Sequence, residues 1–588
     1  MPGPDPQPPA GAGARTRRGD WLAFAVVAAA YAIVATHQAT LTGVYMDEVN
    51  PDYLVVRLLN WTGPPVPAWV LPGNYLLDRF PVLVSLQHGT QSLWLGLPAF
   101  WLLGTTVAAL RFTHALFALA VLAALYALLG RSGVRRWWAV AACVALAIDP
   151  TFVYAFRTQN YITTAPAAWL LLSLYALQRA RADAGRARAW LAASGLFHGL
   201  AFAGYFVYLF VAPAVALAVV AWAAPGATGR QRLARLARLA WWGGGFGAGA
   251  LPYVVGYALL LESQGGLASG WAYIVSTQAT LGNAIPVTTL QQRYAHFEMI
   301  LGQVFGNAAN HWPMFGAPGF VPGAGAKTAL LLALPPLLWV VAEIRRRAPP
   351  MLRLLLGMQV AFAAGALLFG GRLSGHHYMP LVPLAYAALA VAAAALLADR
   401  DATGGRRWLV AVPFALLLGL NAAGSAGEAA TLRRTGGIGL YSDAINAFAA
   451  DLVRERPRDV VFLPDWGLLM PVAFLTGGKV ELVSLVEEWN RAAAAASAGD
   501  GQEVPTLTLT QEAIDGNVVY DLQTSAGSGL AHFLFIDGYL VVGPSRALLV
   551  EAVAQRAAGV TLIASSAFLD LLPHDGQAHY SGLVYQNL

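Results

Sequence analysis

Apolar runs long enough to cross a bilayer recur from Trp21 to about residue 425, and clusters of arginine punctuate them. A run of about 20 such residues crosses the hydrocarbon core as a helix, and lipid forces its backbone polar groups to be satisfied internally. The fold class this leaves is a polytopic α-helical membrane protein. Composition agrees: 57% of the 588 residues are hydrophobic and 12% are charged, with mean hydropathy +0.55, whereas soluble chains carry about 25% charged residues. A formal net charge of +6 is small for this size and points to no nucleic-acid partner. The single cysteine, Cys143, lies inside an apolar run and has no partner for a disulfide.

The arginines order the spans. Residues 1–20, rich in Pro and Gly, read as a disordered cytoplasmic tail, and no small-residue cleavage site follows the first run, which reads as a retained span. Basic clusters lie at Arg15 to Arg18, Arg131 to Arg136, Arg179 to Arg188, Arg230 to Arg238, Arg345 to Arg353 and Arg400 to Arg407. Placing all of them in the cytoplasm requires an even number of spans between neighbours. The runs 137–149 with 161–178, 190–206 with 208–224, 239–260 with 327–344, and 354–370 with 379–398 satisfy that rule. Ahead of Arg131 the runs 21–38, 93–110 and 113–130 are one too many. Gln91 to Leu110 is therefore expected to be re-entrant, because Gly96, Pro98 and Gly104 interrupt it and such backbone is tolerated beside a cavity. A last run, 408–425, carries the chain out. The expectation is about eleven spans within 21–428, with outer loops 39–112 and 262–326.

Within the second outer loop, Thr288 to Gly306 carries an apolar stripe, and Thr288 with Gln291 would form a capping box. This amphipathic helix either lies in the membrane interface or packs on the bundle. Residues 433–588 read as an extracytoplasmic soluble α/β domain. DVVFLPDWG, KVELVSL, HFLFIDG and GVTLIAS are strand candidates among helical patterns, which predicts a small, largely parallel sheet. RAAAAASAGDGQEVP reads as a flexible insertion, and Asp465 stands at a strand end, as a ligand residue or a loop cap.

The chemistry concentrates on the outer face. TGVYMDEVNPDY, residues 42–53, places Asp47 and Glu48 where the first run leaves the membrane. Charge there must be hydrated, paired or used, so these acids either mark a hydrated span end or act on substrate. The same topology brings Asp149 with Arg157, and Arg372 with His376, His377 and Tyr378, to that face. A carboxylate can deprotonate or orient an acceptor, and cationic donors can hold a departing phosphate. There is no P-loop and no Cys/His zinc spacing, and WWGGGFGAG sits in an apolar run, where helix packing accounts for it.

These features, with LQHGTQ leading to GTTVAALRFTHAL, ALAIDPTFVYAFR after the third span and HHYMPLVPLAYAAL late in the bundle, resemble the GT-C glycosyltransferases over roughly residues 20–400. The likeness is strongest to the protein O-mannosyltransferase and lipid A aminoarabinose transferase branch, a family 39-like set. The resemblance implies a polyprenyl-phosphate sugar donor, a lipid, glycan or protein acceptor, and an active site facing away from the cytoplasm, as in a bacterial inner membrane. It implies that Asp47 is the catalytic base, with Glu48 orienting it or holding a divalent metal. It implies that Asp149 and Arg157 bind substrate and that Arg372, His376, His377 and Tyr378 meet the lipid phosphate. Two other classes remain open. A transporter would show internal repeats, and a membrane receptor working through its C-terminal domain would need only an anchor.

Overall fold

The computed structural model describes residues 17–59, 70–158, 165–221, 229–280, 289–307, 314, 323–344, 348–397, 404–455, 460–463, 466–484, 507–514, 516–524, 529–536, 539–543 and 545–559. Two compact units divide the chain, Met1–Val461 with Trp466–Val483, and Phe462–Asp465 with Ser484–Leu588. The expected class, a polytopic helical membrane protein with a C-terminal sheet region, is the one observed.

In the first unit, six helices among the described residues are long and apolar enough to cross a membrane. They include α1 (Arg17–Thr36), α5 (Val107–Arg131), α15 (Ala324–Ile344) and α16 (Pro350–Phe369). The others are Gly375–Leu396, which contains α17 (Leu381–Leu396), and Val410–Thr435 within α18 (Gly404–Thr435). Two further pairs, α6 (Arg136–Ala147) with α7 (Pro150–Thr158) and α11 (Gly229–Gly249) with α12 (Leu251–Ser263), are each bent by 54° and bring the number to eight if each is one span. The expected runs 161–178, 190–206 and 208–224 are also helical, as α8 (Ala165–Ala182), α9 (Ala187–Gly204) and a 3-10 turn leading into α10 (Ala212–Ala221). Between α1 and α5 lie α2 (Met46–Val49), α3 (Val55–Leu59), the β1 (Tyr75–Leu76) and β2 (Phe80–Pro81) hairpin, and α4 (Gln91–Leu103). Helix α4 stops at Gly104, whose φ of 75° suits glycine. Its 13 residues reach about 20 Å, too short to cross.

Helix α17 is the centre of this unit. Every residue from Leu381 to Ala393 is buried, as expected of a helix that is apolar all round. Glycine sets the closest helix contact. A Cβ at Gly195 or Gly199 of α9 would strike the Trp242 or Phe246 carbonyl of α11, and one at Gly245 or Gly249 would strike Ala192 or Leu196. WWGGGFGAG is thus a packing surface.

After α13 (Leu267–Thr280) comes the amphipathic helix expected in the second outer loop, α14 (Leu290–Phe305), one residue later than expected. Its capping box uses Thr289 and Gln292, not Thr288 and Gln291. It packs on the bundle: Arg293 and His296 donate to Leu368 O (2.9 Å) and Leu373 O (2.9 Å), covering carbonyls at and just beyond the end of α16. Its first turn, with Leu290 and Tyr294, is exposed.

The expected boundary near 433 does not divide the chain. Helix α18 runs through it, and α19 (Ala444–Glu455) and α20 (Trp466–Thr476) belong to the first unit. The second unit is also not a parallel sheet. Strands β5 (Leu507–Ile514), β6 (Asn517–Thr524), β7 (Gly529–Ile536) and β8 (Tyr539–Gly543) form an antiparallel meander. Helix α21 (Arg546–Ala557) packs on β7 and β8 around Val519, Leu534 and Leu549. Two, four and two residues separate consecutive strands, too few for the crossover helices that parallel pairing needs. A separate pair joins β3 (Val460–Leu463) and β4 (Glu481–Ser484). Asp465, RAAAAASAGDGQEVP and all of GVTLIAS beyond Gly559 lie outside the described residues.

Candidate functional site

The stretch after α1 folds into a single helical turn, α2, which carries Asp47 and Glu48. It ends at Asn50, as the following Pro51 dictates. The two acids meet different surroundings. Glu48 is fully buried and takes two hydrogen bonds from Arg111 of α5, Nε to Oε1 at 2.9 Å and Nη2 to Oε2 at 3.3 Å. Arg111 also donates to Thr42 O and Oγ1, both at 2.8 Å, and to Ala39 O. One buried guanidinium therefore ties the loop to the start of α5. Three residues further along α5, His114 Nε2 meets Asp52 Oδ2 at 2.6 Å, both side chains buried.

Asp47 is half-buried and forms no ion pair among the described residues. Burial pushes its carboxyl up to about 7, against a lowering hydrogen bond from Tyr45. Tyr45 in turn packs against Tyr441, ring centroids 4.6 Å apart, and Gly43 N–H donates to Tyr441 O at 2.8 Å. Helix α20 packs on α2 and on the 3-10 turn Asp52–Leu54. Segments near residues 441 and 470 thus close over the loop that carries the acid.

Arg157, at the end of α7, donates to His37 O and Gln38 O, lies 5.3 Å from the Tyr154 ring centroid, and falls within electrostatic reach of Arg111 and Glu48. Its buried Nε has no hydrogen-bond partner among the described residues. Asp149 lies elsewhere than expected. It is buried in the bundle, where Lys327 Nζ (2.7 Å) and the Tyr386 hydroxyl (2.8 Å) donate to Oδ2 and Thr151 N–H donates to Oδ1 (2.9 Å). Lys327 also donates to Asn307, and Asn421 to Tyr386 Oη (2.7 Å). These contacts join α6, α15, α17 and α18.

The late loop is built from two short 3-10 turns. Arg372 closes the first, Gly370–Arg372, and the second is Gly375–Tyr378. Ser374 N–H donates to His377 Nδ1 (3.0 Å), which leaves the ring proton on Nε2, facing the Tyr205 oxygen at 3.1 Å. His376 stacks on His377 at 4.2 Å, and Tyr378 is buried against Phe297 and Phe362. Tyr205 also stacks with His88 of LQHGTQ at 5.8 Å, and burial pushes His88 down to about 3. Beside this cluster opens an apolar cavity of about 470 Å³, lined by Leu86, Gln87, Phe202, Phe206, Tyr253 and Phe369 among others.

Among the described residues no three His, Cys, Asp or Glu side chains are grouped to hold a cation. Both oxygens of Glu48 face Arg111, and Asp52 faces His114. Glu48 is thereby committed to Arg111, while Asp52 keeps Oδ1 without a hydrogen-bond partner among the described residues. Arg111, His114, Tyr205 and Lys327 were not singled out from the sequence. For Arg111, His114 and Lys327 a signal existed, since a charged or ionisable group within an apolar run must find a partner.

No protein-family model matches the chain, and no curated protein matches it. Among solved structures it is similar to the S. cerevisiae protein O-mannosyltransferase Pmt1-Pmt2 complex bound to the sugar donor, at 18% identity over 43% of this chain, with TM-score 0.31. It spans only 35% of that chain's length. It is similar to ArnT from Cupriavidus metallidurans bound to undecaprenyl phosphate, at 15% identity over 86% of this chain and 98% of that one, with TM-score 0.43. It is also similar to the Archaeoglobus fulgidus oligosaccharyltransferase in complex with Zn and sulfate, at 16% identity over 79% and 62%, with TM-score 0.45.

Proposed function

We propose that the chain is a GT-C-type membrane glycosyltransferase that moves a sugar from a polyprenyl-phosphate donor to an acceptor on the extracytoplasmic face, with inversion at the anomeric carbon. The observation that carries this reading is the pair of acids on one helical turn. Glu48 is neutralised by Arg111, while Asp47 has no cation partner among the described residues and is raised to about 7. A general base works best with a pKa near the operating pH, and a buried acid next to a fixed one is how such a base is poised.

In the proposed step the acceptor hydroxyl oxygen attacks the anomeric carbon as Asp47 takes its proton. The bond to the phosphate oxygen breaks and the phosphate leaves with the electron pair. Glu48 and Arg111 orient the turn. Arg157, with its unfilled donor, and the neutral His377, through Nε2–H, are candidates to hold the phosphate oxygens. The cavity beside Phe206 suits the apolar start of a polyprenyl chain. Asp149 is reassigned from substrate contact to a buried strut that shapes α6 and α7.

Transfer assays with purified protein in liposomes and a panel of radiolabelled polyprenyl-phosphate sugars test this. Label leaving the donor in wild type but not in Asp47→Asn is expected. A protein that neither binds nor turns over any such donor, while remaining folded, would refute it.

A further inference from the structure

A second groove, of about 400 Å³, lies between α3, the β1–β2 hairpin and α4. Leu58, Leu59, Phe80, Trp94, Leu97 and Trp101 line it, and Arg79 stands among them. Its wall is held in place, because the Trp94 indole N–H donates to Thr90 Oγ1 at 3.0 Å. Around it the surface is unusually apolar. Trp101 and Leu102 of α4 are more than 70% exposed and Leu77 of the hairpin is 86% exposed, with Leu76, Leu95 and Leu103 also exposed. The exposure continues onto the first turns of the spanning helix α5, at Phe112 and Leu116. Exposed apolar area on this scale marks an interaction surface, and this one is continuous with a helix long and apolar enough to cross a membrane. Two exposed arginines stand beside it, Arg79 over the Phe80 ring at 5.3 Å and Arg57 over the Tyr75 ring at 5.1 Å, with Asp78 the one acid on the same hairpin.

We propose that this groove seats an acyl chain of an anionic membrane lipid, with its phosphate at Arg57 and Arg79. Arginine over aromatic rings at the edge of an apolar slot matches that ligand, since cationic and aromatic side chains anchor proteins at the headgroup level. The site lies one short helix beyond the Asp47 turn and stands independently of the transfer reaction.

Delipidated protein in a neutral detergent is titrated with phosphatidylglycerol brominated along its acyl chains, and separately with brominated phosphatidylcholine, while tryptophan fluorescence is read. The Trp94 contribution is isolated by difference from Trp94→Phe. Saturable quenching of Trp94 is expected, tighter for the anionic lipid, with affinity falling about fivefold for each of Arg57→Gln and Arg79→Gln. Leu97→Phe, which fills the floor with another apolar group, is expected to reduce the saturable part while leaving thermal unfolding in place. Equal, non-saturating quenching by both lipids would overturn the proposal, leaving only a lipid-facing helix. The absence of Trp94 quenching would overturn it as well, as would follow if residues 60–69 or a second copy of the chain filled the groove.

Discussion

Glu48 and Arg111 meet through two hydrogen bonds across 62 intervening residues, and neither side chain is more than 4% exposed. Removing one partner strands a buried charge, which typically costs about 3–5 kcal/mol. Arg111→Met is therefore expected to lower thermal stability in detergent sharply, and Arg111→Met with Glu48→Met to recover much of the loss. Recovery of folding without recovery of activity is the expected pattern, because the turn would be intact but differently held. A negligible effect of the single substitution would mean that the pair is hydrated in the membrane.

Asp47 is held near 7 by burial, partly offset by the Tyr45 hydroxyl. As a base it must be ionised, so the transfer rate is expected to rise about tenfold per pH unit below 7 and to level above it. Tyr45→Phe removes the lowering hydrogen bond and is expected to move the midpoint upward. Asp47→Asn should cost about 10²–10⁴-fold in rate with donor binding within a few fold. A pH–rate profile of wild type and Tyr45→Phe checks both. A midpoint that stays put in Tyr45→Phe would dissociate it from Asp47.

Lys327 and Asp149 lie 2.7 Å apart with side chains 1% exposed. Lys327→Met alone is expected to destabilise by about 3–5 kcal/mol, and Lys327→Met with Asp149→Leu by much less. If Asp149 is a strut, the double variant keeps most of its donor affinity. Donor binding lost in a folded double variant would return Asp149 to the substrate site.

His377 presents Nε2–H toward Tyr205 while Ser374 holds Nδ1. Losing a hydrogen bond to a charged group costs about 1.5–3 kcal/mol, so His377→Ala is expected to weaken donor binding by roughly ten- to a hundredfold. Tyr205→Phe leaves the ring in place and is expected to change donor affinity less than His377→Ala does. Titration calorimetry with the donor measures both. Unchanged affinity in folded His377→Ala would make the histidine a loop support.

The spanning helices were legible because lipid leaves apolar runs only one way to satisfy their backbone. The pairing of Glu48 was not. Arg111 and His114 read as the polar start of a span, and nothing local says which distant acid they meet. Lys327, one of two lysines in the chain, was visible as a charge before an apolar run, and only the fold shows that Asp149 answers it. The cap of α14 was misplaced because Thr288–Gln291 and Thr289–Gln292 both fit the pattern, and helix register alone separates them. The β5–β6 hairpin does have a local signal, Asp515–Gly516 between Thr- and Val-rich segments.

The contacts of Tyr441 and of Trp466–Thr476 with the Asp47 loop also order events in time. The loop is among the first segments made, and the residues that clamp it emerge roughly 400 positions later, which at ordinary rates of synthesis is a delay on the order of tens of seconds. During that interval the loop stands without the Tyr441 and Trp466–Thr476 contacts that close over it. A ribosome that stops near residue 430 therefore releases a chain with most of its long apolar helices made and its candidate base still unclamped, so the loop is completed only late in translation, long after insertion begins.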